Sequence, residues 1–144
     1  MPGQISLDQQ QYYAHPRNTF WWVMSKIFGF AETLPYSDRV TQLTNSQIAV
    51  WDVLYDCVRP GSLDSKIEQQ SEQANDFAGF LEANSNIKLI AFNGRAAEKI
   101  FMRHCADLFS LIPELKSVSL PSTSPAYAAM SKAEKLGIWQ SALT

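Results

Sequence analysis

The chain has 144 residues, of which 46% are hydrophobic and 18% charged, and its formal net charge is −2. This composition excludes a disordered chain and predicts a single globular domain over residues 1–144. No apolar run approaches the roughly 20 residues that cross a bilayer, so we expect no membrane contact. The acidic balance argues against nucleic-acid binding by bulk charge, because proteins that bind in that way are usually basic.

Apolar periodicity predicts strands that alternate with helices. The expected helices cover residues 19–30, 75–83 with Asn75 as N-cap, 95–109, and a last helix from Ser124–Pro125 to about Leu136, or to Trp139. The expected strands cover residues 47–54, where a helical turn is the rival interpretation, 88–92 and 117–120. The polar stretch 68–73 is expected to be a solvated helix or loop. This alternation predicts a parallel sheet covered by helices, with ligands at the carboxyl ends of the strands.

Polar residues follow each expected strand, and each has a structural and a functional interpretation. Asp52 and Asp56 lie at the end of the first strand and Asn93 follows the second, and such positions are commonly strand ends or turns. Ser122 and Ser124 follow the third; they are either helix caps or hydroxyl donors to a phosphate. His104 lies on the apolar face of its helix and is expected to be a core histidine.

The segment YYAHPRNTFWW places five large aromatics around a polar turn. Asn18 precedes a helix, so it is either the N-cap or a side chain that orients a water molecule or a polar substrate group. The aromatics are by default core residues. The sharper hypothesis is that Tyr12 or Tyr13 stacks on a planar base, a contact worth about 1–3 kcal/mol.

Six stretches, in this order, resemble the hypoxanthine-DNA glycosylase branch of the uracil-DNA glycosylase superfamily. They are MPGQISL, YYAHPRNTFW, AVWDVLYDCVRPGSLDS, NDF, FNGRAAEKIF and LPSTSPAYA. HPRNTFW and LPSTSPA are the specific ones. The resemblance implies an α/β fold of three layers, α/β/α, with a short parallel sheet. It also implies a metal-independent, monofunctional DNA glycosylase without a cofactor, whose partner is DNA containing a deaminated base, hypoxanthine or alternatively uracil.

The resemblance also implies roles for single residues. Asn18 resembles the catalytic asparagine of this branch, which orients the water, and Tyr13 falls where relatives place the aromatic that stacks on the base. Asp52 and Asn93 are candidates for contacts with the base edge. His15, Ser122 and Ser124 are candidates for contacts with the DNA backbone, and Arg59, Lys132 and Lys135 are phosphate candidates by charge alone. No metal ligands are expected.

Three departures from the family pattern favour a second hypothesis. Met1 and Leu120 stand where relatives usually carry catalytic side chains, and the chain begins inside the first motif, after the point where relatives have a strand. We therefore expect the usual first strand to be missing, with low stability or dimerisation of an otherwise monomeric protein. The alternative function is a non-catalytic or truncated relative that binds nucleic acid or a protein partner. Without a signal-peptide pattern and with two unpaired cysteines, the chain is expected to be cytoplasmic, and nucleoid-associated if bacterial or archaeal.

Overall fold

The computed structural model describes residues 1–144 as seven α-helices and four short strands. The helices are α1 (Gln4–Gln9), α2 (Phe20–Phe28), α3 (Tyr36–Asn45), α4 (Phe77–Ala83), α5 (Arg95–Cys105), α6 (Leu108–Leu111) and α7 (Lys132–Leu143). The strands are β1 (Leu54–Asp56), β2 (Gln73–Ala74), β3 (Leu89–Asn93) and β4 (Lys116–Leu120). The chain divides into two compact units. We call Met1 with residues 52–120 the strand unit, and residues 2–51 with 121–144 the helical unit.

The strand unit contains a short parallel sheet. β3 and β4 pair in parallel from Leu89 opposite Lys116 to Asn93 opposite Leu120, and β1 pairs with β2 in antiparallel orientation. Gly94 extends the parallel pairing, since its N–H donates to the Leu120 carbonyl at 3.0 Å, and its φ of +96° suits glycine at the sharp entry into α5. The buried core comprises Leu81, Phe92, Phe101, Cys105, Leu108 and Leu115. The expected α/β fold with a short parallel sheet is confirmed.

The helical unit is built on the apolar face of α2. Phe20, Trp21, Val23 and Met24 are all buried, and the Phe20 ring meets that of Trp139 from α7 edge to face at 6.1 Å. α7 begins with a capping box, in which the Ser131 hydroxyl accepts from the Glu134 N–H and the Glu134 carboxylate accepts from the Ser131 N–H.

The predicted strand over residues 47–54 is wrong. Only Leu54 belongs to a strand, β1, and Trp51 is 42% exposed. The apolar run begins instead as the exit from α3: Gln47 has a φ of +61°, and the Ile48 N–H donates to the Leu43 carbonyl at 2.9 Å. A left-handed residue after a helix closes its last turn, and the chain cannot run straight into a strand.

Two predicted helix starts are also wrong. α4 is capped by Asp76, whose carboxylate accepts from the Gly79 N–H at 2.9 Å, while Asn75 donates through its side chain to the Asp52 carbonyl. Residues 121–130 form a loop, and the capping box at Ser131 starts α7 instead of Ser124–Pro125. The predicted helix over residues 95–109 is interrupted after Cys105, and α6 resumes at Leu108.

Candidate functional site

The side-chain oxygen of Asn18 accepts a hydrogen bond at the start of α2. Its Oδ1 accepts a hydrogen bond from the Phe20 N–H at 3.0 Å, and its own N–H donates to the His15 carbonyl at 2.9 Å. Thr19 occupies the N-cap position but makes no side-chain cap bond. Because the Phe20 N–H is a donor, the amide atom that faces it must be the oxygen, so Nδ2 points elsewhere. Asn18 thus performs the capping function one residue early and retains one lone pair on Oδ1.

His15 is held in one tautomer by its neighbour. Its Nδ1 accepts from the Arg17 N–H at 3.0 Å. In a neutral imidazole the proton must then lie on Nε2. The half-buried ring therefore presents a hydrogen-bond donor away from the turn.

Tyr13 stacks on a core residue of the helical unit. Its ring centroid lies 4.0 Å from that of Phe20, at an interplanar angle of 26°. The backbone there is constrained as well, because Tyr13 has a φ of +56° and the Trp21 Nε1 donates to the Tyr12 carbonyl at 2.9 Å. Tyr13 is half-buried, and its stacking on Phe20 sets the plane of its ring.

Residues 121–125, which we call the serine loop, are tied to the start of α2 through Thr123. The Thr123 carbonyl accepts both from the Thr19 N–H at 3.0 Å and from the Thr19 Oγ1 at 3.3 Å. The Thr123 side chain is 0% exposed. The loop is therefore anchored one residue from Asn18.

The two serines of this loop use their hydroxyl oxygens as acceptors. The Ser122 Oγ accepts from the Ser124 N–H, and the Ser124 Oγ accepts from the Ala126 N–H, both at 3.2 Å. A hydroxyl that accepts from the backbone still has its own proton to donate. The turn thus fixes two hydroxyl donors on a half-buried surface.

The predicted site residues are divided between the two units. Tyr13, His15, Asn18, Ser122 and Ser124 lie in the helical unit, and Asp52 and Asn93 lie in the strand unit. Within the strand unit, Asn93 ends β3 opposite Leu120. The Asp52 carboxylate lies 3.4 Å from the Met1 amino group.

Sequence reasoning missed three residues that hold the serine loop, Thr19, Thr123 and Trp139, and it named a fourth, Lys135, only as a phosphate candidate by charge. The Trp139 Nε1 donates to the Pro121 carbonyl at 2.9 Å, and the Lys135 Nζ donates to the Tyr127 carbonyl at 2.8 Å. A signal was present in α7, because residues four apart share a helix face and a lysine four before a buried tryptophan points to the same side.

No helix is long and apolar enough to span a bilayer. The structure places no group of three or more His, Cys, Asp or Glu side chains where they could hold a metal ion.

No family model matches the chain, but curated proteins and solved structures are similar to it. A hypoxanthine DNA glycosylase of Methanosarcina barkeri is 35% identical over 96 residues, covering 66% of this chain and 60% of that protein. One of Methanosarcina acetivorans is 38% identical over 98 residues, covering 67% and 61%. The chain thus spans about 60% of the length of the curated relatives it matches. A solution NMR structure from Methanosarcina acetivorans, named as a candidate uracil DNA glycosylase, has a TM-score of 0.76 and 32% identity, covering 97% of this chain and 84% of that one.

Proposed function

Because the chain belongs to the hypoxanthine-DNA glycosylase branch of the uracil-DNA glycosylase superfamily, we propose that it removes deaminated bases from DNA. The substrate is DNA with hypoxanthine, and uracil is the second base to test. The reaction is hydrolysis of the N-glycosidic bond by water, with no metal, cofactor or lyase step. The observation that carries the proposal is that the serine loop is bound, through the Thr123 carbonyl, to Thr19, the residue next to Asn18.

Asn18 has the chemistry to orient the attacking water. When the bond between the sugar and the base breaks, its electron pair leaves with the base and the sugar carbon becomes cationic. A neutral amide is too weak to deprotonate water, but the remaining lone pair of Oδ1 can accept a hydrogen bond from the water and hold its oxygen toward that carbon. The hydrogen bond from the Phe20 N–H keeps Oδ1 in place. Water thus meets the cation in a prepared orientation. As the new C–O bond forms, the water loses a proton to solvent, and the departed base anion takes a proton from solvent and leaves as the neutral base.

The flipped nucleotide needs contacts on its base and on its backbone. Tyr13, with its plane set by Phe20, provides an aromatic face for the base. The hydroxyls of Ser122 and Ser124 and the Nε2–H of His15 provide donors for phosphate oxygens.

Asn93 and Asp52 are our candidates for reading the base edge. The amide of Asn93 can donate to the 6-oxo group of hypoxanthine and accept from its N1–H. The Asp52 carboxylate can accept from N1–H only. A carboxylate only accepts, so the Asp52 pairing favours the N1–H of hypoxanthine over the bare N1 of adenine, whereas the Asn93 amide can turn to pair with either base edge.

Asn18→Ala tests this proposal directly. We expect base release from a deoxyinosine duplex, measured as alkali-labile strand breaks, to fall about 10²-fold or more, because the water loses its acceptor. The free energy of unfolding should fall by only about 0.5–2 kcal/mol, the usual value of a helix cap.

Asp76→Ala is the matched control for Asn18→Ala, since it also deletes one cap hydrogen bond, at α4. It should lose similar stability and keep its activity. Full excision by Asn18→Ala would disprove the catalytic role. Equal loss of activity in both variants would show that Asn18 is only a cap.

Leu120 favours one second candidate, a DNA-binding relative without catalysis. It stands where relatives usually donate to the leaving base, and its side chain is buried. Leucine has no donor, so the departing base receives no hydrogen bond there. Tight binding of a deoxyinosine duplex with no base release, unchanged in Asn18→Ala, would establish this candidate in place of the glycosylase.

A further inference from the structure

Lys135 is a buried cation with no acidic partner. Its residue is 4% exposed, and its Nζ donates to the Tyr127 carbonyl at 2.8 Å and lies 5.1 Å from the Tyr127 ring centroid. No carboxylate pairs with it. Burial lowers the pKa of this ammonium from its ordinary value. Burying a charge is costly unless an opposite charge compensates it, so the position calls for an explanation.

Two side chains of α7 hold the serine loop, one before its serines and one after them. Trp139 donates to the Pro121 carbonyl before the serines, and Lys135 donates to the Tyr127 carbonyl after them. The Tyr127 N–H in turn donates to the Ser124 carbonyl at 3.1 Å, so the Lys135 contact sits on the turn that carries Ser124.

The two anchors of the loop differ in charge. The neutral indole N–H of Trp139 shows that a carbonyl here can be held without a cation. An ammonium has three donors, and the Tyr127 carbonyl takes one. Lys135 therefore brings to this turn a positive charge that the hydrogen bond alone does not require.

We propose that Lys135 is a positioning residue for DNA: it fixes the serine loop and supplies the positive charge that draws a backbone phosphate to Ser122 and Ser124. This rests on the proposed function. An approaching phosphate is the missing compensation for the buried ammonium. In a protein with a net charge of −2, such local charge is what allows phosphate contact.

Lys135→Met tests the proposal with a duplex that carries one tetrahydrofuran abasic site, so that binding is measured without base release. We expect affinity about ten-fold weaker and a plot of log affinity against log salt that is shallower by up to about one unit. In base release, KM should rise more than kcat falls. Lys135→Arg should restore most of the affinity.

Lys26→Met is the matched control, because it removes an exposed lysine from the far end of α2. It should leave both the affinity and the salt slope unchanged. An unchanged salt slope in Lys135→Met, or equal slopes in both variants, would overturn the proposal. If the wild-type protein binds the abasic duplex but releases no base, the proposed function fails while the role of Lys135 is still measured. If it does not bind at all, both fail.

If Lys135→Met does not fold, the proposal is tested on the Lys135 side chain of the wild-type protein. The Nζ signal of Lys135 would be followed by ¹⁵N NMR and assigned by its loss in Lys135→Arg. Saturating abasic duplex should shift this signal and slow its hydrogen exchange. An unmoved signal would overturn the proposal.

Discussion

Glu72 is a buried carboxylate that sequence reasoning placed in a solvated stretch. Its side chain is 1% exposed and accepts from Arg103 Nε and Nη2 at 3.0 and 2.6 Å and pairs with His104 Nε2 at 2.6 Å. His104, expected in the core, is instead exposed. Arg103, in the last turn of α5, supplies the positive charge that compensates the buried carboxylate, and the adjacent His104 adds a hydrogen bond. These partners lie 31 and 32 positions from Glu72, so no local sequence pattern shows the pairing.

The stability of the strand unit should depend on Glu72 in acid. Burial raises the pKa of Glu72, but the hydrogen bonds from Arg103 and His104 outweigh it, so the pKa is lowered overall. A lowered pKa in the folded state contributes stability above the pKa of the unfolded chain, and this is lost as the pH falls through the folded value. We expect Glu72→Gln to lower the free energy of unfolding by about 1–3 kcal/mol at pH 7, measured by urea unfolding. As the pH falls into the acid range, the stability of this variant should decrease less steeply than that of the wild type.

Glu114→Gln is the control for the acid measurement. Glu114 pairs with Lys88 on the surface, where solvent screens the charges. The Glu114→Gln variant should therefore match the wild type in stability at pH 7 and in the decrease of stability with falling pH. Wild-type stability in Glu72→Gln at pH 7 would show that the buried pairing contributes nothing.

Helices and strands were predictable where a local pattern decided them. β3 is an apolar run that ends at a polar turn, β4 alternates polar and apolar residues, and the Phe20 face of α2 has helical spacing. The start of α7 was missed because Ser124–Pro125 looks like a cap and N1 pair, while the capping box of Ser131 and Glu134 was overlooked. The prediction of a strand over residues 47–54 was wrong because a residue in the left-handed conformation after α3 turns the chain, whatever the apolar pattern.

Gly137 weakens α7 without a packing reason. It lies within the helix, and no atom lies within 4 Å of a Cβ built on it. We expect Gly137→Ala to stabilise the protein by about 0.5–1 kcal/mol, measured by thermal unfolding, because glycine loses more backbone entropy.

Gly29→Ala should change the stability in the opposite direction to Gly137→Ala. Gly29 ends α2 at a φ of +75°, which an alanine adopts with strain. It should destabilise the protein although space is free there. Stabilisation by Gly29→Ala would contradict this reasoning.

At the scale of the whole molecule, the site was partly predictable. The motif residues Asn18, Ser122 and Ser124 were found from sequence, and the structure joins their segments through Thr19 and Thr123. That tie could not be predicted, because it joins positions 104 apart. The buried charge of Lys135 was equally hidden, since a lysine in a helix is ordinarily solvated.

Each unit contains its own natural probe of unfolding. The four tryptophans all lie in the helical unit, and both cysteines lie in the strand unit. We propose that the chain is one domain, so tryptophan fluorescence and the reactivity of buried Cys105 in a Cys57→Ser variant should give the same urea midpoint. Unfolding of residues 52–120 would leave a long loop within the helical unit, and its closure entropy couples the two. Separate midpoints would contradict a single domain.

The tie at Thr123 has an evolutionary consequence. Its acceptor is a carbonyl and one of its donors is an amide, so any residue at position 123 can supply the oxygen, and any residue except proline at position 19 can supply the hydrogen. Drift in the side chains would leave this part of the joint intact. Relatives with quite different residues at these two positions can therefore share the same junction, which their aligned sequences would not reveal.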